Sequence, residues 1–303
     1  VCSSNDSVYE YTLSTAWLVT SAFHYTTQVL DVSSQDANPN DVFFKSDGTE
    51  MYVVGTSSAY IYKYSLSTAW DISTAYYVEP NTEYFSVADK EGTAKSLFIH
   101  PDGTKMYVSG SSSGSVHEYD LSTEWDVSTA SFVQTFSVAT QDTNPSGMFF
   151  KPDGTRMYVT GSADDDINEY SLSTAWNIST ASYVQNFSVA TQDVAPVGLY
   201  FKDDGTKMYI GGGAGYGIHE YNLSTAWDIS TASFSQTFDT TPQTIYVSSI
   251  TMKPDGTKLY VSGFSNRSFY EYDLSTAWDI STASYVQNSY DPNYGFAIFF
   301  KDD

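Results

Sequence analysis

The residues of this chain best suited to chemistry are four histidines, one cysteine and a handful of clustered carboxylates. His24, His100, His117 and His219 fall in different strands or loops. His100 replaces a turn lysine, and His117 and His219 take a strand place held elsewhere by Tyr9, Asn168 or Tyr270, an exchange that reads as a surface position. Asp164-Asp165-Asp166 offers oxygen ligands of the kind Ca²⁺ takes, roughly six to eight at a time. Three adjacent aspartates do not all point at one ion, however, and no Asp-x-Asp-x-Asp-Gly loop is present, so a solvated acidic loop is favoured. The Gln-Asp pairs that supply Asp36, Asp142 and Asp193 are the remaining weak metal candidates, with turn capping the plainer account of each. Cys2 alone supports neither a disulfide framework nor a zinc site. No nucleophile elbow, zinc-binding helix or phosphate loop is found, so no catalytic residue and no cofactor is assigned; Ca²⁺ is the one metal these carboxylates would suit.

The elements that position these residues follow from repetition. Tryptophans recur at Trp17, Trp70, Trp125, Trp176, Trp227 and Trp278 within near copies of one phrase, Leu-Ser-Thr-Ala-Trp-Asp-Ile-Ser-Thr-Ala. An Asp-Gly-Thr turn recurs between them, and such a period defines a repeat architecture. Within the copy at 147–189, an apolar run reaches Pro-Asp-Gly-Thr, where proline presets the turn and glycine supplies positive φ. A return strand, an alternating third strand and an alternating edge strand follow. Four antiparallel strands per repeat make a propeller blade. The first strands, such as 148–150 and 199–201, are continuous apolar runs, as expected of strands covered on both faces.

The fold expected is all-β: a single domain over 1–303, a six-bladed β-propeller of four-stranded antiparallel blades with repeats of about 51 residues. The chain opens at the end of a second strand and stops at Asp303 inside a first turn, so both termini are expected to close the ring by completing one shared blade. The 26 Tyr, 18 Phe and 6 Trp supply the packing area.

The sequence from 101 to 110, Pro-Asp-Gly-Thr-Lys-Met-Tyr-Val-Ser-Gly, resembles the YVTN-type β-propeller repeat of microbial surface proteins. The tryptophan phrase is similar to repeats of marine phage structural proteins and environmental exported proteins. The resemblance covers all six repeats and implies a propeller; the tryptophan loop departs from the shorter YVTN repeat.

Composition narrows the partners. With 36 acidic against 13 basic residues the formal charge is −23, which disfavours nucleic acid and anionic membranes. No apolar run of about 18 residues exists to insert in a membrane. High Ser/Thr, low Lys and a single Cys suit an extracellular, cell-surface or virion protein. Most cations flank the Asp-Gly-Thr turns on one face, whereas Asp36, Asp41, Asp89, Glu91, Asp142, Asp164, Asp165, Asp166 and Asp193 gather on the other.

The invariant tryptophans, each at fixed spacing from neighbours such as Leu172 and Ile178, read as packing wedges between blades instead of sugar platforms. Residues that differ between copies need not serve packing. The loops between second and third strands vary most, and Tyr60, Asp164, Asp165, Tyr216, Phe264, Asn266 and Arg267 are therefore the candidate ligand-binding residues. The expected function is a non-enzymatic recognition or structural module that binds a glycan or protein through its acidic face, alongside any neighbouring domains of a longer chain. The alternative is a metal-dependent hydrolase or lyase at the acidic mouth of the channel, although the inner strands offer no His, Asn or Glu converging on the axis.

Overall fold

The computed structural model describes residues 6–18, 22–23, 29–77, 83–263 and 268–290. Five four-stranded antiparallel blades succeed one another along the chain. Blade I comprises Pro39–Phe44, Glu50–Gly55 and Tyr60–Leu66, with its outer strand in two pieces, Ala75–Tyr76 and Tyr84–Ser86. Blade II comprises Ala94–Ile99, Lys105–Gly110, Ser115–Leu121 and Ala130–Ser137. Blade III repeats this with Pro145–Phe150, Arg156–Gly161, Asp166–Leu172 and Ala181–Ser188. Blade IV starts at Pro196 and blade V ends at Tyr290.

The expected count of six is not what the described residues show. Ahead of blade I, Ser7–Tyr9 pairs with Val29–Asp31, and Thr12–Leu13 with Ala22–Phe23. These are third- and fourth-strand segments only. The inner strand expected at 297–301 lies outside the described residues, so closure by both termini is not shown. The segment nonetheless touches blades on both sides: Tyr260 of blade V donates its hydroxyl to the Trp17 carbonyl at 2.5 Å, and Glu10 accepts the Ile72 N–H of blade I at 2.7 Å.

Each turn is built as its residues dictate. Gly154 has φ +70°, and Asp153 accepts both the N–H and the hydroxyl of Thr155 at 3.0 and 2.6 Å. The tryptophan that follows also has positive φ, between 60° and 69° in all six copies, a conformation that costs a bulky residue energy. Its backbone N–H reaches the turn glycine's carbonyl (Trp176 to Gly154, 2.9 Å), and its indole lies flat on that glycine. A Cβ on Gly154 would stand 2.3 Å from Trp176 Nε1. The residue after the tryptophan caps a short 3-10 helix, with Asn177 Oδ1 accepting the Ser179 N–H.

The wedge reading of the tryptophans holds, since none of the six is exposed. Trp176 stacks on Phe98 of the preceding blade at 5.7 Å and packs at a tilt against Phe150 of its own at 5.4 Å. The same bracket holds Trp227 between Phe149 and Phe201. Across each such interface the second-strand tyrosine donates to the next tryptophan carbonyl: Tyr52 to Trp125, Tyr107 to Trp176, Tyr158 to Trp227 and Tyr209 to Trp278. The core therefore sits between blades; Tyr107, Val116 and Val138 of blade II pack with Met157, Val159 and Tyr170 of blade III. Second strands are the most deeply buried, whereas first strands are half-buried because one side lines the central channel.

Candidate functional site

On the face opposite the Asp-Gly-Thr turns, the loop between second and third strands hangs, in blades I to IV, from a carboxylate supplied by the connection that enters the blade; in blade V that position is the buried Thr244. Asp142, 1% exposed, accepts the N–H groups of Asn144 at 2.5 Å, Ala163 at 3.1 Å and Asp164 at 3.0 Å. Asp36 does the same for Asn38 and Ser58, and Asp193 for Ala195, Ala214 and Gly215. Glu91 takes this place in blade II; burial pushes its carboxyl up, but the Ser112 and Ser113 hydroxyls and the N–H groups of Thr93 and Ser112 outweigh that and hold it low. Asp36, Asp142 and Asp193 are thus turn caps, and among the described residues no group of three or more His, Cys, Asp or Glu could hold a metal ion. The face is also less acidic than its sequence implies, because Asp36, Glu91, Asp142, Asp166 and Asp193 are all buried.

The loops themselves present the candidate ligand-binding residues unevenly. Tyr216 is 56% exposed and occupies the left-handed position at φ 53°, where Gly114 stands in blade II. Asp164 is exposed; Asp165, half-buried with φ 55°, has a carboxyl raised first by burial and then by the charges of Asp193, Asp142 and Asp164. Tyr60 packs within its own blade, 5.8 Å from Tyr62 and 5.3 Å from Tyr84. Tyr60, Asp164 with Asp165, and Tyr216 therefore stand on three different blades of one face, and Phe264, Asn266 and Arg267 lie outside the described residues. Val194 and Ile245, 55% and 51% exposed, flank the Tyr216 loop on the connections either side of it. The Gly215 backbone is held by Asp193, and the Tyr216 carbonyl accepts the Thr240 N–H.

His117 and His219 correct an expectation. Both are 2% exposed, beneath these loops and not on the surface. Exchange with Asn168 and Tyr270 misled because those places are buried too; all four side chains fill the space under a variable loop. His117 Nε2 lies 2.9 Å from Ser113 Oγ and its Nδ1 2.9 Å from Thr135 Oγ1. Burial lowers the pKa of both imidazoles.

The channel holds chemistry that the sequence reading missed. A cavity of about 520 Å³ is walled by the starts of the first strands of blades I to V, on the loop-bearing side. Asn40 contradicts the expectation that these strands bring no asparagine to the axis, and Asp41, Lys95, Ser96, Ser146 and Ser248 join it. Asp41 accepts the Val42 N–H at 2.9 Å and, across the blade interface, the Leu97 N–H at 3.1 Å. Burial nevertheless raises its pKa to about 6. Lys95 donates to Asn144 Oδ1 at 3.0 Å. The signal was present: Asn40, Lys95, Ser146, Val197 and Ser248 occupy one position of the repeat and differ as the loops do.

No protein-family model matches the chain, and no curated protein sequence is similar to it. Among solved structures, a Lactobacillus plantarum protein superposes with a TM-score of 0.62 at 14% identity, covering 85% of this chain and 73% of its own. A candidate 6-phosphogluconolactonase of Bacteroides uniformis gives 0.58 at 13% identity over 82% of this chain and 70% of that one. The periplasmic gluconolactonase of Pseudomonas aeruginosa gives 0.57 at 12% identity, over 84% and 71%. At such identities the likeness concerns the fold, which is a β-propeller of four-stranded blades. Among the described residues no helix is long and apolar enough to cross a membrane.

Proposed function

We propose that this chain is a non-enzymatic recognition module of an extracellular, cell or virion surface, binding a hydroxyl-rich glycan or a protein through its loop-variable face. The observation that carries this reading is Tyr216, a half-exposed aromatic ring in a conformation that glycine adopts at no cost, on a loop pinned from beneath by Asp193. Nothing in the blade requires that ring, and the rest of the scaffold repeats around it. Flanked by Val194 and Ile245, it offers a stacking surface, with the Asp164 and Asp165 carboxylates one blade away as acceptors for hydroxyls or for a bridging Ca²⁺. Phe264, Asn266 and Arg267 belong to the same loop family in blade V. The ring carrying this face is a six-bladed one, with Ser7–Tyr9, Thr12–Leu13, Ala22–Phe23 and Val29–Asp31 as part of the sixth blade, a reading supported by Trp17 and Glu10, which take the same interblade bonds as their counterparts. A glycan array read with the wild-type chain and Tyr216→Ala tests the proposal. Retained binding by the variant, or loss of binding on blocking the Asp-Gly-Thr face, overturns it.

A second reading is a hydrolase acting at the channel mouth. It is favoured by Asp41, whose pKa near 6 suits proton transfer, and by the fold likeness to proteins named as gluconolactonases. Turnover of a sugar lactone that disappears in Asp41→Asn would replace the first reading with this one.

A further inference from the structure

We propose that the central channel is a binding site for a small carboxylate anion bearing hydroxyl groups, with Lys95 as its counter-charge. This goes beyond the recognition surface and does not depend on it. Among the described cations, the turn lysines and Arg156 each lie against a carboxylate, as does Lys63 against Glu50. Lys90 is exposed over the Phe132 ring. Lys95 is half-buried in the channel wall and pairs only with the neutral Asn144 amide. A desolvated ammonium without a carboxylate is costly, and burial accordingly lowers its pKa. Glu91 and Asp142 pull the other way, but their oxygens are already turned onto backbone N–H groups and hydroxyls. Two of the three ammonium donors are left for a ligand.

The wall around Lys95 suits a hydroxylated anion. Ser146 and Ser248 spend their hydroxyl protons on neighbouring oxygens of the wall, including the Pro196 and Ser262 carbonyls, which leaves lone pairs as acceptors. Asp41 spends one bond on each carboxylate oxygen and keeps further capacity for ligand hydroxyls. On the other side, Gly147 and Gly198 stand at the repeat position of Asp41, Ser96 and Ser249. A Cβ on Gly198 would meet nothing closer than Ile250 at 3.4 Å, so packing does not demand glycine there; its absence of a side chain leaves room in the cavity. The volume of about 520 Å³ falls within the range of small-molecule sites, roughly 300–1,000 Å³.

Titration calorimetry of the intact chain with lactate, glycerate and gluconate, and with glucose and inorganic phosphate as controls, tests the site. A carboxylate should bind, glucose should not, and Lys95→Met should weaken binding about tenfold or more, the loss expected for a charge-assisted bond. Gly198→Ala should also weaken it while leaving the melting temperature unchanged. Failure of all three carboxylates, glucose binding as tightly as gluconate, or phosphate displacing every carboxylate overturns the proposal. So does a folded Lys95→Met that binds normally; should that variant not fold, the ligand series on the wild-type chain decides alone.

Discussion

The two faces of this propeller are built by opposite rules. On the Asp-Gly-Thr face the packing repeats: the glycine under its indole, the tyrosine on the next carbonyl and, in blades II to V, a buried glutamate such as Glu118, which joins Lys105 and Gln134 of its own blade to the Ile178 N–H of the next. On the loop-bearing face of blades I to IV only the anchor persists, as Asp36, Glu91, Asp142 or Asp193, while the residues it holds change from blade to blade. Holding the backbone by a side chain from outside the loop removes any demand on the loop's own sequence. That is how one face can vary without loosening the ring.

If this contrast is right, the largest penalty belongs to the fixed face. Trp227→Ala should cost about 3–5 kcal/mol in chemical denaturation, since it empties the space between Phe149 and Phe201. A loss below about 1 kcal/mol would mean that the indoles are ornaments of the surface. Asp142→Ala should cost roughly 3 kcal/mol by leaving three N–H groups unpaired, and amide exchange should rise at 163–164 more than elsewhere.

Asp41 in the channel wall and the turn carboxylates should also titrate in opposite directions. Asp41 holds its proton more tightly folded, near pH 6, than a free carboxyl near about 3.9 does. Its contribution is therefore most favourable below about pH 4 and is lost as pH rises through 6, by about 3 kcal/mol, and Asp41→Asn should abolish that slope. The turn carboxylates behave inversely. Asp255 is held at about 2, by the Lys253 ammonium first and the Thr257 hydroxyl next, as Asp153 and Asp204 are against the opposing effect of burial. Their contribution is present above about pH 4 and falls away toward pH 2. The smallest effect should come from Tyr216→Gly, which relieves a left-handed tyrosine and should stabilise the fold by up to about 1 kcal/mol while removing ligand binding.

Much of the fixed face was legible because packing fixes residue type. Pro-Asp-Gly-Thr specifies its turn, and a tryptophan at constant spacing can only be a constant contact. What was not legible is how backbone hydrogen bonding spends charge. Asp142 and Asp193 look like surface carboxylates in sequence, and only the partner N–H groups, some 20 residues on, show them to be internal. The histidines failed for a related reason, since depth beneath a loop leaves no period in the chain. One usable signal went unread: Glu50 and Lys63 exchange the places that Lys105 and Glu118 hold in the next blade, a swap that marks a paired interior position. The channel residues were hidden by register, because Asn40 and Lys95 stand just before the apolar run at a bulge in each first strand.

The bond from each second-strand tyrosine to the next tryptophan carbonyl runs one way round, from Tyr52 to Trp125 onward to Tyr260 and Trp17. Blades II to V are thus each donor to one neighbour and acceptor to the other, the head-to-tail relation of subunits in a heterologous assembly, enacted within a single polypeptide. Interchangeable joints of that kind make the order of the copies immaterial to the assembly. Two of these four blades exchanged along the chain would present the same couplings while carrying their variable loops to new places on the opposite face.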